Sequence, residues 1–363
     1  MRLDDADWDD IEAVLTGAGE TLAIVAPNFE ERSLYFAERL LALHLRLRTQ
    51  GTPVKKLNWL VLTFQGVPEG SLLDGVKGTH ANRGWTAAAS EATGEVIHRL
   101  VPYPVEAERM RGLLRTSLRL FPTPDDVIID FTSVPRPILT SLMEGLASGT
   151  LLSRNVSPYL AYSWARSYPE AAAFEDYGRP KGSFSDSTVE ELLEGIQHLE
   201  LVVTTGTSIH EAHSVLGELE QRRGTFTSNV RVVNFINRAN LAESWRQLTN
   251  HQSLLTDATN QGWRVEYAFT VRHVLDHVNR AWVSATDVSK DGRGPVGLLV
   301  APFGPKPISV GVQLMMADLR QVDPAARMDV LRTSESQYLS VYSLGASDCS
   351  LFRCQDIIPR AES

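Results

Sequence analysis

The sequence predicts an α/β protein with two tandem domains, each built on a mostly parallel sheet with helices on both faces. Short apolar segments alternate with longer amphipathic segments along the chain, which is typical of such sheets. The alternation stops once, over the Pro-, Gly- and Ser-containing stretch Tyr168–Ser187, and then restarts. Two segments containing Pro-basic-Pro-Ile, Pro135–Ile138 and Pro305–Ile308, lie about 170 residues apart. We therefore expect two doubly wound, Rossmann-like domains.

In the first half, apolar runs predict five strands, at Leu22–Ala26, Leu57–Phe64, Val96–Val101, Val127–Phe131 and Tyr159–Trp164. The helical period of 3.6 residues predicts helices over Phe29–Arg48, from Trp85 into the mid-90s, over Glu106–Leu120 and over Pro135–Ala147. The Gly-rich stretch Gly66–Gly84 is predicted to be a loop. The first domain is expected to span 1–170, followed by a linker over 171–190.

In the second half, strands are predicted at Leu199–Thr204, Val230–Ile236, Val265–Phe269 and Val296–Ala301. Helices are predicted over Ser208–Arg223, Leu241–Asn260, Val271–Ser284 and Pro307–Leu319. Three further runs are interpreted as closing strands or a terminal hairpin, Met328–Leu331, Tyr338–Tyr342 and Ser350–Cys354. The second domain is expected to span 191–363.

Composition narrows the class of protein. The 363 residues carry a formal net charge of −9, which argues against binding along an extended nucleic-acid duplex. The two cysteines, Cys349 and Cys354, are too few for a disulfide framework or a zinc site, so a reducing, cytoplasmic location is expected without a metal or other cofactor. No apolar run is long enough to span a bilayer, and the acidic N-terminus lacks the pattern of a signal peptide.

Four loops follow predicted strands, at the edge where open α/β sheets bind their ligands. The first-half candidates for ligand binding are Asn28, Arg32, Ser33, Thr132, Ser133 and Arg136. The second-half candidates are Thr205, Gly206, Thr207, Ser208, Gly304 and Lys306. Hydroxyl groups, glycine backbone and the N–H groups of a helix's first turn suit a phosphate, and a cation held there by flanking prolines adds positive charge.

Each loop also has a structural interpretation, which for Lys306 is a solvated surface side chain. Asn28 could cap the following helix together with Glu31, and Asp130 could pair with Arg136. Thr207 or Ser208 could be simple helix caps. His210 and His213, three residues apart, and His273 and His277, four apart, lack a third metal ligand and are expected to be structural or exposed.

The four loops resemble those of the CARF and SAVED sensors, Rossmann-like proteins of CRISPR-associated and related antiphage systems. Members of that group have a Ser/Thr-bearing loop after the first strand, which Thr205-Gly206-Thr207-Ser208 resembles. They also have a Gly-Gly-Thr-Lys-like turn that opens a later helix, which Phe303-Gly304-Pro305-Lys306-Pro307 resembles. The matching first-half segments are Asn28–Ser33 and Thr132–Arg136, where arginine replaces lysine; proline precedes the basic residue in both halves.

The resemblance implies a sensor that binds a nucleotide or a cyclic or linear oligonucleotide signal. Its output would come from a protein effector partner or from self-assembly. A competing hypothesis is a nucleotide- or sugar-nucleotide-processing enzyme, with Asp130, Glu30 or Glu31 as acid, base or metal ligand and Arg32 holding substrate. A third is a scaffold subunit of a defence complex whose pockets have lost their ligand.

Overall fold

A computed structural model describes residues 2–27, 31–65, 84–102, 107–121, 124–152, 156–167, 187–206, 210–222, 224–292, 294–331 and 344–355. The chain divides into two compact units. The first contains residues 1–169 and 337–363, and the second contains residues 170–336. Both are α/β units with a mostly parallel sheet, so the predicted fold class is confirmed.

Among its described residues, the first unit has a seven-stranded sheet in the order β1-β12-β6-β5-β2-β3-β4. The strands are β1 (Arg2–Ala6), β2 (Glu20–Val25), β3 (Lys56–Gln65), β4 (Val96–Pro102), β5 (Asp126–Asp130), β6 (Tyr159–Ser167) and β12 (Leu344–Gln355). Strands β2 to β6 pair in parallel, whereas β12 pairs antiparallel with β6 and with β1. The described helices of this unit are α1 (Trp8–Leu15), α2 (Tyr35–Thr49), α3 (84–92), α4 (Ala107–Leu118) and α5 (Arg136–Ala147).

The second unit has a five-stranded parallel sheet among its described residues, in the order β11-β10-β7-β8-β9. The strands are β7 (His198–Thr204), β8 (Thr227–Phe235), β9 (Arg264–Ala268), β10 (Val296–Pro302) and β11 (Arg327–Val330). The described helices are α6 (Ser187–Leu193), α7 (His210–Gln221), α8 (Leu241–Asn250), α9 (Gln252–Asn260), α10 (Val271–Lys290) and α11 (Lys306–Val322).

The parallel part of each sheet has one strand order. Numbered along the chain from the first parallel strand of each unit, both sheets read 3-2-1-4-5. This is the order of a Rossmann-like half, in which the chain leaves the first strand in one direction and later returns to its other side. The apolar runs form the buried centres of these sheets, with Trp59 and Ile128 in one core and Leu201 and Leu299 in the other.

The C-terminal strand corrects the expected domain boundary. The sequence placed 191–363 in one domain, but β12 pairs with β6, with Cys349 opposite Ser163, and so belongs to the first unit. The expected strand Tyr338–Tyr342 lies outside the described residues. The expected linker, 171–190, also overlaps helix α6, which buries Val189 in the core of the second unit.

Two predicted helices have different bounds in the structure. The helix expected over Phe29–Arg48 begins only at Tyr35, after a short 3-10 turn at Glu31–Ser33, and Leu34 caps it without a side-chain hydrogen bond. The helix expected over Leu241–Asn260 is two helices that meet at His251. In the described part of the chain, no helix has both the length and the apolar character required to cross a membrane.

Candidate functional site

The strand order brings the four predicted loops together in two pairs. In each sheet the first and fourth parallel strands are neighbours, β2 beside β5 and β7 beside β10. The chain turns to opposite sides of the sheet after these two strands, which opens a crevice at their carboxyl ends. The loops that follow β2 and β5 contain the first-half candidates, and the loops that follow β7 and β10 contain the second-half candidates. Each unit therefore has its described candidates at its own topological switch point.

The two Pro-framed cations have the same backbone setting. Helix α5 begins at Arg136 after Pro135, whose φ and ψ are −56° and 141°; helix α11 begins at Lys306 after Pro305, whose values are −60° and 142°. Each helix therefore carries a cation on its first turn, at the carboxyl end of the fourth strand. Lys306 is buried and Arg136 is half-buried. The first-turn N–H groups and the cation together favour an anion at this position.

In the second unit the two switch-point loops touch backbone to backbone. A Cβ on Gly206 would lie 2.8 Å from the backbone nitrogen of Gly304. Gly304 itself has φ +120°, and a Cβ there would lie 2.9 Å from the carbonyl oxygen of Thr205. The Thr204 hydroxyl also donates a hydrogen bond to the carbonyl of Phe303. Glycine is thus required at both positions, by space at Gly206 and by space and backbone conformation at Gly304.

The Thr205 side chain holds the same loop to its neighbouring strand. Its hydroxyl donates to Asn234 Oδ1 over 2.6 Å, and its backbone N–H donates to the carbonyl of Val233 over 3.0 Å. The imidazole Nδ1 of His251 lies 2.9 Å from the same Asn234 oxygen. Burial lowers the pKa of His251 to about 4; the nearby Gly206 backbone opposes this effect, and the nearby His213 lowers the pKa further. The ring is therefore neutral at physiological pH.

In the first unit, polar residues of the loop after β5 form hydrogen bonds within the loop and to β6. Asp130 Oδ1 accepts a hydrogen bond from the backbone N–H of Thr132 over 2.9 Å, and the Thr132 hydroxyl accepts one from the backbone N–H of Ser163 over 2.8 Å. Asp130, Thr132 and Ser133 are all buried. Asp130 and Thr132 therefore hold the loop against β6, a structural contribution that is independent of any ligand.

Arg32 is directed into the first unit. Its side chain is completely buried, and Nη1 donates to the Tyr162 hydroxyl over 2.9 Å and to the Ser163 carbonyl over 3.1 Å. The guanidinium also lies 5.4 Å from the centre of the Tyr162 ring. The sequence placed Arg32 on the first turn of a helix, but it lies in the 3-10 turn before α2, so its expected position was wrong. Ligand binding by Arg32 stays a prediction.

Several predicted residues cannot be placed. Asn28, Glu30, Thr207 and Ser208 lie outside the described residues, as does the side chain of Glu31. Helix α2 begins at Tyr35, so it does not begin at the position where Asn28 and Glu31 were expected to cap it. Ser33 is buried beside Arg32. Among the residues that the structure describes, no three His, Cys, Asp or Glu side chains are grouped as a metal site.

Four contributors were missed in the sequence, namely Tyr162, Ser163, Asn234 and His251. Asn234 interrupts an apolar strand with a polar side chain, which is a signal that could have indicated it. Ser163 contributes its backbone N–H and carbonyl, which no side-chain pattern indicates. Tyr162 and His251 carried no such signal, because an aromatic residue in a strand and a histidine in a polar helix are common.

No protein-family model and no curated protein sequence matches this chain. One solved structure that aligns with it is described as "Trehalose-6-phosphate from E. coli bound with UDP-2-fluoro glucose". The alignment covers 84% of this chain and 91% of that chain, at 12% identity and a TM-score of 0.24. A TM-score this low does not establish a shared fold or function. The class that the strand orders define is an α/β protein with two Rossmann-like units.

Proposed function

We propose that this protein binds a nucleotide or a cyclic or linear oligonucleotide signal at its switch-point loops. In this proposal it is the sensor component of a bacterial antiphage defence or signalling system. The observation that carries the proposal is the second-unit switch point, where Gly206 lies against Gly304 and the buried Lys306 opens helix α11. Close backbone approach at two glycines beside a buried cation is suited to a loop that binds an anion.

The chemistry of this site suits a phosphate or phosphodiester group. Glycine backbone allows an anion to approach closely, and the first turn of α11 supplies N–H groups and the positive end of the helix dipole. Lys306 would add a charge-assisted hydrogen bond, which is among the stronger kinds. In the first unit, Arg136 has the corresponding place on α5. Each of the two positions would bind a phosphate group within its own unit.

As a sensor, the protein would pass its signal to a protein effector partner or through self-assembly, and it would act in the cytoplasm. The affinity of a ligand for the two states of a sensor must differ for binding to shift their populations. Reorientation of the two units on binding is the form of response that we propose.

The test is a panel of nucleotides and cyclic oligonucleotides, with melting temperature and product formation followed on each. A ligand at a hundred times its Kd stabilises the folded state by about 2.7 kcal/mol, which raises the Tm of a domain of this size by about 5–10 °C. Lys306→Ala should weaken the ligand about 10- to 100-fold. Lys290→Ala is the matched control, because Lys290 lies at the exposed end of α10 and forms only a 4.0 Å surface pair with Asp287.

The outcomes separate the three hypotheses. Stabilisation without turnover, lost in Lys306→Ala and retained in Lys290→Ala, supports the sensor. Turnover that Asp130→Asn abolishes would favour the enzyme. The absence of any response across the panel would favour the scaffold. Equal affinity of Lys306→Ala and the parent protein would remove this loop as a site.

A further inference from the structure

His251 occupies a break in the crossover connection between β8 and β9. It follows the last residue of α8 and precedes the first residue of α9. Its backbone N–H donates to the Gln247 carbonyl over 2.9 Å, and its own carbonyl accepts from the Leu255 N–H over 3.0 Å. Its backbone is therefore fixed by both helices, and its side chain is 1% exposed. A side chain anchored in this way can hold another segment in place.

His251 reaches the glycine loop after β7 through Asn234. The imidazole Nδ1 lies 2.9 Å from Asn234 Oδ1, which also accepts a hydrogen bond from the Thr205 hydroxyl. The next residue, Gly206, lies against the backbone of Gly304. Thr205 and Gly206 are thus held between the Asn234–His251 pair and the opposite switch-point loop.

We infer that His251 is a positioning residue of the anion site: through the Asn234 oxygen that it shares with Thr205, it holds Thr205 and Gly206 beside Gly304, so that the backbone of this loop faces the ligand. This inference rests on the proposed function. It extends the site to a residue 45 positions after Gly206 in the chain, on an element that carries none of the predicted ligand-binding residues. A histidine that only filled space in the core would not need to share a hydrogen-bond acceptor with this loop.

His277 provides a matched comparison in the same unit. It is also a buried histidine, with 4% exposure on helix α10, and burial lowers its pKa as well. Its ring lies near the backbone of Tyr267 on β9, the strand at the far edge of the sheet. Substitution of His277 therefore reports the cost of losing a buried histidine without disturbing the glycine loop.

The experiment measures the affinity for inorganic pyrophosphate by calorimetry. His251→Leu keeps most of the side-chain volume but no hydrogen-bonding group, whereas His251→Gln keeps both a donor and an acceptor. We expect His251→Leu to bind pyrophosphate about tenfold more weakly. A misplaced loop loses about one hydrogen bond to the ligand, and a tenfold change in affinity corresponds to the free energy of about one hydrogen bond. His251→Gln should recover most of the affinity. His277→Leu should bind as the parent protein does, and Lys306→Ala should lose affinity.

Each result decides the inference. If His251→Leu binds pyrophosphate as well as His277→Leu while Lys306→Ala loses affinity, the positioning role is overturned and the proposed function stands. If the parent protein binds neither pyrophosphate nor any nucleotide of the panel, both are overturned. Should His251→Leu fail to fold, Asn234→Ala replaces it, because that change removes the oxygen shared by His251 and Thr205. Weakened binding by Asn234→Ala then supports the role, and unchanged binding overturns it.

Discussion

The buried histidine at the second-unit switch point gives a quantitative prediction about pH. Burial lowers the pKa of His251 from 6.5 to about 4, so the native protein resists protonation that the unfolded chain accepts. The unfolded state therefore binds more protons between these two values, and the free energy of unfolding falls as the pH falls. His251 contributes its full stabilisation above pH 6.5 and loses it progressively down to about pH 4. At about 1.4 kcal/mol per pKa unit, the loss over this window is about 3 kcal/mol.

The perturbation is His251→Gln, which removes the titration and keeps the hydrogen-bonding capacity. Urea titrations at pH 7 and pH 4.5 should show that the parent protein loses about 2–3 kcal/mol more stability than the variant over this range. Other groups that titrate, such as His44 and His277, are common to both proteins and cancel in the comparison. Equal pH dependence of His251→Gln and the parent would refute the reasoning.

Three further substitutions or treatments have defined outcomes. Gly206→Ala should cost about 1–3 kcal/mol of stability in thermal unfolding, because its Cβ would meet the backbone of the opposite loop at 2.8 Å. As a control, Gly217→Ala in α7, where the added Cβ has nothing within 4 Å, should stabilise the protein by up to about 1 kcal/mol. Equal effects of the two substitutions on stability would contradict the close contact at Gly206. Arg32→Met should cost about 2–4 kcal/mol of stability in urea unfolding, because two buried acceptors lose a charged donor. Arg39→Met should cost under about 1 kcal/mol, because the Arg39 side chain is 42% exposed. A loss as small for Arg32→Met would contradict the contacts assigned to Arg32. Burial raises the pKa of the Cys349 thiol well above its ordinary value, so a thiol reagent should modify Cys349 in urea and not in the native protein. Rapid modification without urea would show that β12 opens.

The parallel core was predictable because its strands are buried on both faces and appear as continuous apolar runs. The runs that became β2, β5, β7 and β10 were all recognised, and so were the loops after them. Neighbour relations were not available from the sequence, since strand order depends on contacts between distant segments. The order 3-2-1-4-5 is what pairs the four loops at two switch points.

The edge elements escaped prediction for a different reason. Strand β1 carries two aspartates in five residues, and its ladder with β12 depends on a segment about 350 positions later in the chain. Helix α1 is only eight residues long, although Asp7 and Asp10 form a reciprocal capping box at its start. A longer apolar pattern would have been needed to recognise either element. Packing against the rest of the unit stabilises both.

The polar contacts at the switch points differ between the two units, although their strand orders agree. In the first unit, Arg32 and Thr132 hold the loops after β2 and β5 to β6, the strand beside β5. In the second unit, Asn234 on β8 holds the loop after the first strand, from the other side of the switch point. Shared topology therefore explains where the two candidate sites lie, and their different polar neighbours require each site to be tested separately. The loop contact through Gly206 and Gly304 makes the second unit the first one to test.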